Sequence, residues 1–297
     1  MKNELNCAIC KSLKIKSLGN YSPRDFKLDN KLPYFKCLDC GHVFSADNPT
    51  VELLTQFYNY KFKDGNYQDY TTYHLDKNVE FNNIINKYIK PYLSLESKIL
   101  EIGCGEGFFL SSLLTNGYNK LFGYDISDYI ISKARSRLPK NVTLYDSLNY
   151  DLSQILEVDK YDAIFAFDVI EHIYDPRVYI NNIYKGLKKE GRILFTTPSA
   201  DSIANKILGE RWPYFLPLEH LNIFSNESMK RILTDVGFKE ISLKNKKRFF
   251  SLSYGIASLE SIYSLNGNLW KIFKYIIKVI SKVFKGVNIN LGLMICT

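Results

Sequence analysis

The feature that most constrains this 297-residue chain is an apolar run, Lys98–Ile102, that passes directly into Glu101-Ile102-Gly103-Cys104-Gly105-Glu106-Gly107. Alternating glycines followed by the apolar Phe108-Phe109-Leu110 read as a strand turning tightly into a helix. Glycine there also lets the backbone approach a ligand with no Cβ in the way. An acid, Asp125, closes the next β run, where a carboxylate can accept from both hydroxyls of a ribose.

The alternation continues along the chain. Further β runs read Leu121–Asp125, Val142–Tyr145, Tyr161–Phe167, Arg192–Thr196, Phe238–Leu243 and Ile289–Cys296, with helical stretches between them. One helix is opened by Asp175-Pro176, a cap residue followed by proline in the first turn. This pattern predicts an α/β fold with a largely parallel sheet, helices on both faces, and ligands at the carboxyl ends of the strands.

A nicotinamide dinucleotide site shares this logic, but its loop reads G-x-G-x-x-G and aims a helix N-terminus at a pyrophosphate. Here the third glycine, Gly107, falls one residue early, and Phe108 stands in its expected place. Glu101, two residues before the first glycine, suits a sulfonium or ammonium charge and repels a pyrophosphate. Together with Gly123-Tyr124-Asp125-Ile126-Ser127 and Asp168-Val169-Ile170-Glu171-His172, the stretch from Phe81 to Phe238 resembles the class I S-adenosylmethionine-dependent methyltransferases. In particular it looks like the ubiquinone-type O-methyltransferases and their relatives in sugar and surface-polysaccharide pathways, some of which carry an N-terminal four-cysteine zinc module. The resemblance implies a Rossmann-like, seven-stranded methyltransferase sheet with S-adenosylmethionine as cofactor. It places Glu101 and Gly103 near the methionine moiety, Gly105 near the cofactor backbone and Asp125 on the ribose. Asp146, with Ser147 beside it, would reach the adenine, while Phe167 and Asp168 face the reacting centre. Gly107 and Ile126 complete the set, and Cys104 contributes its backbone only.

Four of the six cysteines are paired as Cys7-x-x-Cys10 and Cys37-x-x-Cys40. Two such knuckles present four thiolates, the donor set of a structural Zn²⁺ with no open position for catalysis. Two disulfides, or four unrelated core cysteines, are the alternatives; a reducing compartment disfavours the first. The 26 residues between the pairs fit a β-hairpin. A module this small draws its folding energy from the metal. Zinc ribbons also bind nucleic acid, but Met1–Asn48 holds eight Lys/Arg against five Asp/Glu, so a scaffold or substrate-side role is expected.

Methyl transfer to a hydroxyl needs a proton acceptor. Of four histidines, His172 follows the fourth strand of the core and His220 ends the aromatic, proline-bearing loop Trp212–His220. Both are candidate catalytic residues on the acceptor side, with Asp168; His42 is assigned no role. A Mg²⁺ ion held by Asp168, Glu171 and His172, as the ubiquinone-type enzymes imply, is the alternative to a protein base, though Asp168 stands where those enzymes have Glu.

The net charge of +8 is carried entirely by Lys244–Lys285, which has nine basic residues and one acid. Within it, Asn268–Lys285 reads as an amphipathic helix with a lysine stripe. It is a candidate lid or acceptor-recognition element, or a peripheral contact to the inner membrane face. Met1–Cys10 lacks a signal-peptide apolar run, and a cytoplasmic protein is expected. The organisation expected is a zinc ribbon (1–48), an aromatic linker or lid (49–80) rich in tyrosine, the cofactor-binding core (81–248), a helical insertion (249–288) and a last strand (289–297). The expected acceptor is a small molecule, anionic or lipid-linked, of the sugar, nucleotide-sugar or glycan-precursor class, which would place the chain in polysaccharide biosynthesis. An RNA methyltransferase and a non-catalytic cofactor-binding protein are the competing readings.

Overall fold

A computed structural model describes residues 5–22, 31–45, 53, 57, 80–146, 152, 156–209, 212, 214–251, 270 and 286–296. For 146, 245–251 and 286–296 it describes the backbone alone. Ser147, the side chain of Asp146, most of the aromatic linker and the helix expected over 268–285 (Trp270 apart) lie outside the described residues.

The core is a seven-stranded sheet. Its central strands are β4 (Ile99–Ile102), β5 (Leu121–Asp125), β6 (Thr143–Asp146), β7 (Tyr161–Phe167) and β8 (Leu187–Pro198). These five run parallel in the order β6-β5-β4-β7-β8. The chain reverses after β4, its neighbours β5 and β7 lying on opposite sides, and such a switch point opens a crevice at the carboxyl edge. Helices α1 (Phe108–Thr115), α2 (Asp128–Arg137) and α3 (Pro176–Gly186) connect the strands. Asp175 caps α3 as its sequence implies, accepting from the amides of Arg177 and Val178 with Pro176 in the first turn. β4 is buried along its whole length, as a central parallel strand must be.

One strand lies later than its apolar pattern suggests. Phe238 does not begin a strand; Gly237 terminates helix α5 (Asn226–Val236) and Phe238 packs edge-on against Tyr184, 5.1 Å between centroids. The sheet's next strand, β10, spans Leu243–Ser251, and β11 spans Gly286–Cys296, antiparallel to both β10 and β8. β10 is an edge strand, and edges tolerate the charged run Lys244-Asn245-Lys246-Lys247-Arg248 that reads poorly as a buried strand. Four of the nine basic residues of Lys244–Lys285 thus lie on this edge strand.

A second, four-stranded sheet holds the cysteine module: β1 (Ile15–Tyr21), β2 (Leu32–Cys37), β3 (Val43–Ser45) and β9 (Asn222–Ile223). β1 and β2 form the hairpin expected between the two cysteine pairs. β9 comes from the other end of the chain. It begins two residues after His220 and pairs antiparallel with β3. Helix α4 (Ile203–Leu208) lies between β8 and that segment. No helix among the described residues is long and apolar enough to cross a membrane.

Candidate functional site

The glycine loop leaves β4 and enters α1 with Gly103, Gly105 and Gly107 all in the left-handed region, at φ 71°, 54° and 79°. A Cβ on Gly103 would meet Val169 Cγ2 at 2.5 Å, so the loop packs directly on the segment that follows β7. A Cβ on Gly105 would meet nothing within 4 Å. The backbone therefore faces open space at Gly105, as a cradle for a ligand requires.

Asp125 holds this loop from the tip of β5. Its Oδ2 accepts from the Gly105 amide at 2.9 Å and its Oδ1 from the Ser127 amide at 3.0 Å. Burial raises the Asp125 carboxyl above its ordinary range, and the amides of Ser127, Gly105 and Ile126 offset part of that cost. Glu101 is buried at 4% exposure in β4. Cys104 is buried, burial drives its thiol well above the ordinary range, and its Sγ would lie 3.0 Å from a Cβ on Gly123. Such burial disfavours the reactive thiolate. Phe167 joins Phe81, Phe109 and Phe165 in an aromatic cluster, lying 4.8 Å from Phe109. The fit to a nucleoside-bearing cation rests on these features: an open glycine cradle, a buried acid before it and a second acid positioned at the next strand end.

Asp168 follows β7 at φ 55°, a strained conformation for a non-glycine residue and one that recurs at functional positions. It is clamped to β8, its amide donating to the Thr196 carbonyl at 3.0 Å and its Oδ1 accepting from Thr196 Oγ1 at 2.7 Å. A 3₁₀ turn, Ile170–His172, comes next. The donor atoms of Glu171, His172 and His220 lie within 4.8 Å of one another, and the two imidazoles are 5.1 Å apart. Asp168 is not in that group. Of the expected set Asp168, Glu171 and His172, the structure keeps Glu171 and His172 together, and the long loop brings His220 to them in place of Asp168. Glu171 is 1% exposed, and burial, with the charge of Asp168 second, drives its carboxyl well above the ordinary range. One carboxyl with two imidazoles is a poor oxygen cage for Mg²⁺.

The two histidines are oriented alike. His172 Nδ1 lies 2.6 Å from the Glu219 carbonyl and His220 Nδ1 lies 2.8 Å from the Tyr214 carbonyl. A carbonyl only accepts, so each Nδ1 carries the proton and, in the neutral ring, each Nε2 carries the lone pair. Tyr214 stacks on His220 at 5.7 Å. Leu218, fully buried at φ 72°, fixes the loop by packing with Leu32 and Phe57.

The four cysteines converge: Cys7 Sγ and Cys40 Sγ are 3.6 Å apart, Cys10 Sγ and Cys37 Sγ 3.4 Å. A tetrahedral Zn²⁺ with Zn–S bonds of about 2.3 Å needs sulfurs about 3.8 Å apart, so the set fits zinc. A hydrogen bond from the Cys40 thiol holds Cys7 below the ordinary thiol range.

Several residues here had no chemical signal in the sequence. His42 is fully buried and its Nε2 bonds Asn222 Oδ1 at 3.0 Å, while burial pushes its pKa down to about 4. Tyr34, on β2, donates to the His220 carbonyl at 2.6 Å. Both reach β9 or its flank, more than 170 residues away in sequence.

Residues 67–243, over half the chain, match the methyltransferase domain family, and the chain belongs to it. It is 29% identical over 129 residues to a tRNA U34 carboxymethyltransferase of Sulfurovum sp., covering 42% of each chain. It is 28% identical over 116 residues to a ubiquinone biosynthesis O-methyltransferase of Coxiella burnetii, covering 37% of this chain and 48% of that one. The chain thus spans less than half the length of these curated relatives. Among solved structures, the [4+2]-cyclase SpnF shares the fold at a TM-score of 0.52 and 16% identity, over 84% of this chain and 95% of that one.

Proposed function

We propose that this chain is an S-adenosylmethionine-dependent methyltransferase acting on a hydroxyl of a small molecule, with a sugar, nucleotide-sugar or glycan precursor as the acceptor class. The observation that carries the reading is the pairing of the open Gly103–Gly107 cradle, held by Asp125, with two imidazoles whose Nε2 atoms are set as proton acceptors. When bound, S-adenosylmethionine supplies a methyl group on a sulfonium centre. The chain's residues do the rest. Glu101 offsets the sulfonium charge and Asp125 accepts from the ribose hydroxyls. His172 or His220 takes the acceptor's proton at Nε2 as its oxygen becomes a nucleophile, and the Nδ1–carbonyl bonds stabilise the imidazolium that results. The half-buried Tyr214 ring beside His220 offers an apolar face on which a sugar ring can stack. The zinc of the cysteine module is structural in this reading.

The O-methyl chemistry in the name of the Coxiella relative agrees with a hydroxyl acceptor. The tRNA-directed name of the Sulfurovum relative favours an RNA acceptor instead. One experiment separates them: incubate the zinc-loaded protein with methyl-labelled S-adenosylmethionine and, in parallel, a nucleotide-sugar panel and total RNA. Label in the nucleotide-sugar fraction supports the proposal. Label in RNA alone replaces it, and label in neither fraction despite cofactor binding leaves a non-catalytic cofactor-binding protein.

A further inference from the structure

The cysteine module does not hang from the core; it is built into the segment that carries His220. Its β3 pairs with β9, Val43 opposite Ile223 and Phe44 opposite Asn222, and the Ser45 amide donates to the Leu221 carbonyl at 3.0 Å. The Cys40 carbonyl accepts from Ser225 Oγ. One side chain of the module reaches His220 and a second reaches the flank of His172 through Asn222. Tyr34 donates to the His220 carbonyl at 2.6 Å. His42 bonds Asn222, whose Nδ2 donates at 2.6 Å to the carbonyl of Ile173, the residue after His172. Packing repeats the message: Tyr34 and Val43 share one apolar cluster with Trp212, Phe215 and Ile223, and Arg177 of α3 donates to the Ile9 carbonyl between two of the cysteines at 2.8 Å.

We propose that the four-cysteine module sets the geometry of the His172–His220 pair, with Tyr34 and His42 as positioning residues that act through His220 and Asn222. The module's strands are short and bury little apolar surface alone, so a metal at the four cysteines is what makes β3 rigid enough to template β9. Loop residues that carry chemistry need such a rigid support, because small misplacements of a reacting group cost large factors in rate. The inference extends the reading of the two histidines as acceptor-side groups, but its test reads their positions and not their chemistry.

The chain has four histidines, so ring-¹³C-histidine labelling of the full, zinc-loaded protein gives four assignable signals. Tyr34→Phe keeps the aromatic packing and removes only the hydrogen bond. The expected result is movement of the His220 and His172 signals with S-adenosylmethionine affinity held within about twofold. Removing zinc from the wild-type chain with a chelator is expected to shift or broaden the same two signals, again with the cofactor still bound. The exposed Lys14→Ala serves as a control that moves neither. Signals of His172 and His220 that stay in place after zinc removal overturn the inference. So does loss of cofactor binding together with zinc, which would make the module a general folding element. If Tyr34→Phe fails to fold, the chelation arm decides alone. Failure of the methyltransferase reading itself is seen separately, as absence of S-adenosylmethionine binding to the intact protein.

Discussion

The phenol of Tyr34, 186 residues before His220 in sequence, donates a 2.6 Å hydrogen bond to the His220 carbonyl inside the protein. Tyr34 is fully buried and His220 nearly so. Removing the donor leaves a buried carbonyl without that partner, which costs about 1–3 kcal/mol. Tyr34→Phe should therefore lower the unfolding free energy by that amount, seen as a lower urea midpoint with the slope unchanged. A stability equal to the wild type would mean that water replaces the hydroxyl.

Gly103 and Gly105 should respond differently to alanine. Both have positive φ, a backbone conformation costing about 1–2 kcal/mol for a residue with a Cβ. At Gly103 the new methyl also meets Val169 Cγ2 at 2.5 Å, and overpacking adds about 1–3 kcal/mol. At Gly105 the methyl projects into open space, so stability falls only by the backbone cost of about 1–2 kcal/mol while S-adenosylmethionine affinity drops by about tenfold or more. Thermal melts with and without the cofactor distinguish the two patterns.

Asp125 predicts the sign of the pH dependence of binding. Burial raises its folded-state pKa above the ordinary value near 3.8, so the ionised form is disfavoured in the free protein. That contribution to stability is present at low pH and is lost as pH rises through the raised pKa. Ribose hydroxyls donating to the carboxylate favour the ionised form. Affinity should therefore rise with pH across the acidic range and level off above it, with proton release on binding there. Calorimetry across about pH 4 to 8 in buffers of different ionisation heat checks this. An affinity that falls with rising pH would contradict it.

How much of this was legible beforehand follows physical lines. The Gly103–Gly107 loop, Asp125 and the cysteine pairs were readable because each is a local device whose residue types and spacing dictate its chemistry. The strand placed at Phe238–Leu243 was misread because an edge strand needs no apolar run; Lys244–Arg248 looks like a solvated segment. The pairing of His172 with His220 was beyond reach from spacing, and so were the roles of Tyr34, His42 and Asn222. Those contacts join residues 47 to 186 apart, and a two-residue strand such as β9 has no periodicity to detect.

The histidine pair and Glu171 separate base catalysis from cation assistance. His172→Ala or His220→Ala should reduce turnover by about 10²–10⁴-fold with cofactor affinity unchanged. Glu171→Gln mimics the protonated carboxyl that burial favours and should leave both fold and turnover near wild type. A collapse of turnover in Glu171→Gln, restored by excess divalent cation, would show that a bound cation does the work assigned to the imidazoles.

The central claim is tested most directly by titrating S-adenosylmethionine into the purified, zinc-loaded chain by calorimetry, beside NADH and beside Asp125→Ala. Saturable binding of S-adenosylmethionine, no binding of NADH, and an affinity weakened by about tenfold or more in Asp125→Ala are expected. No binding of S-adenosylmethionine, or binding of NADH in its place, would contradict the claim.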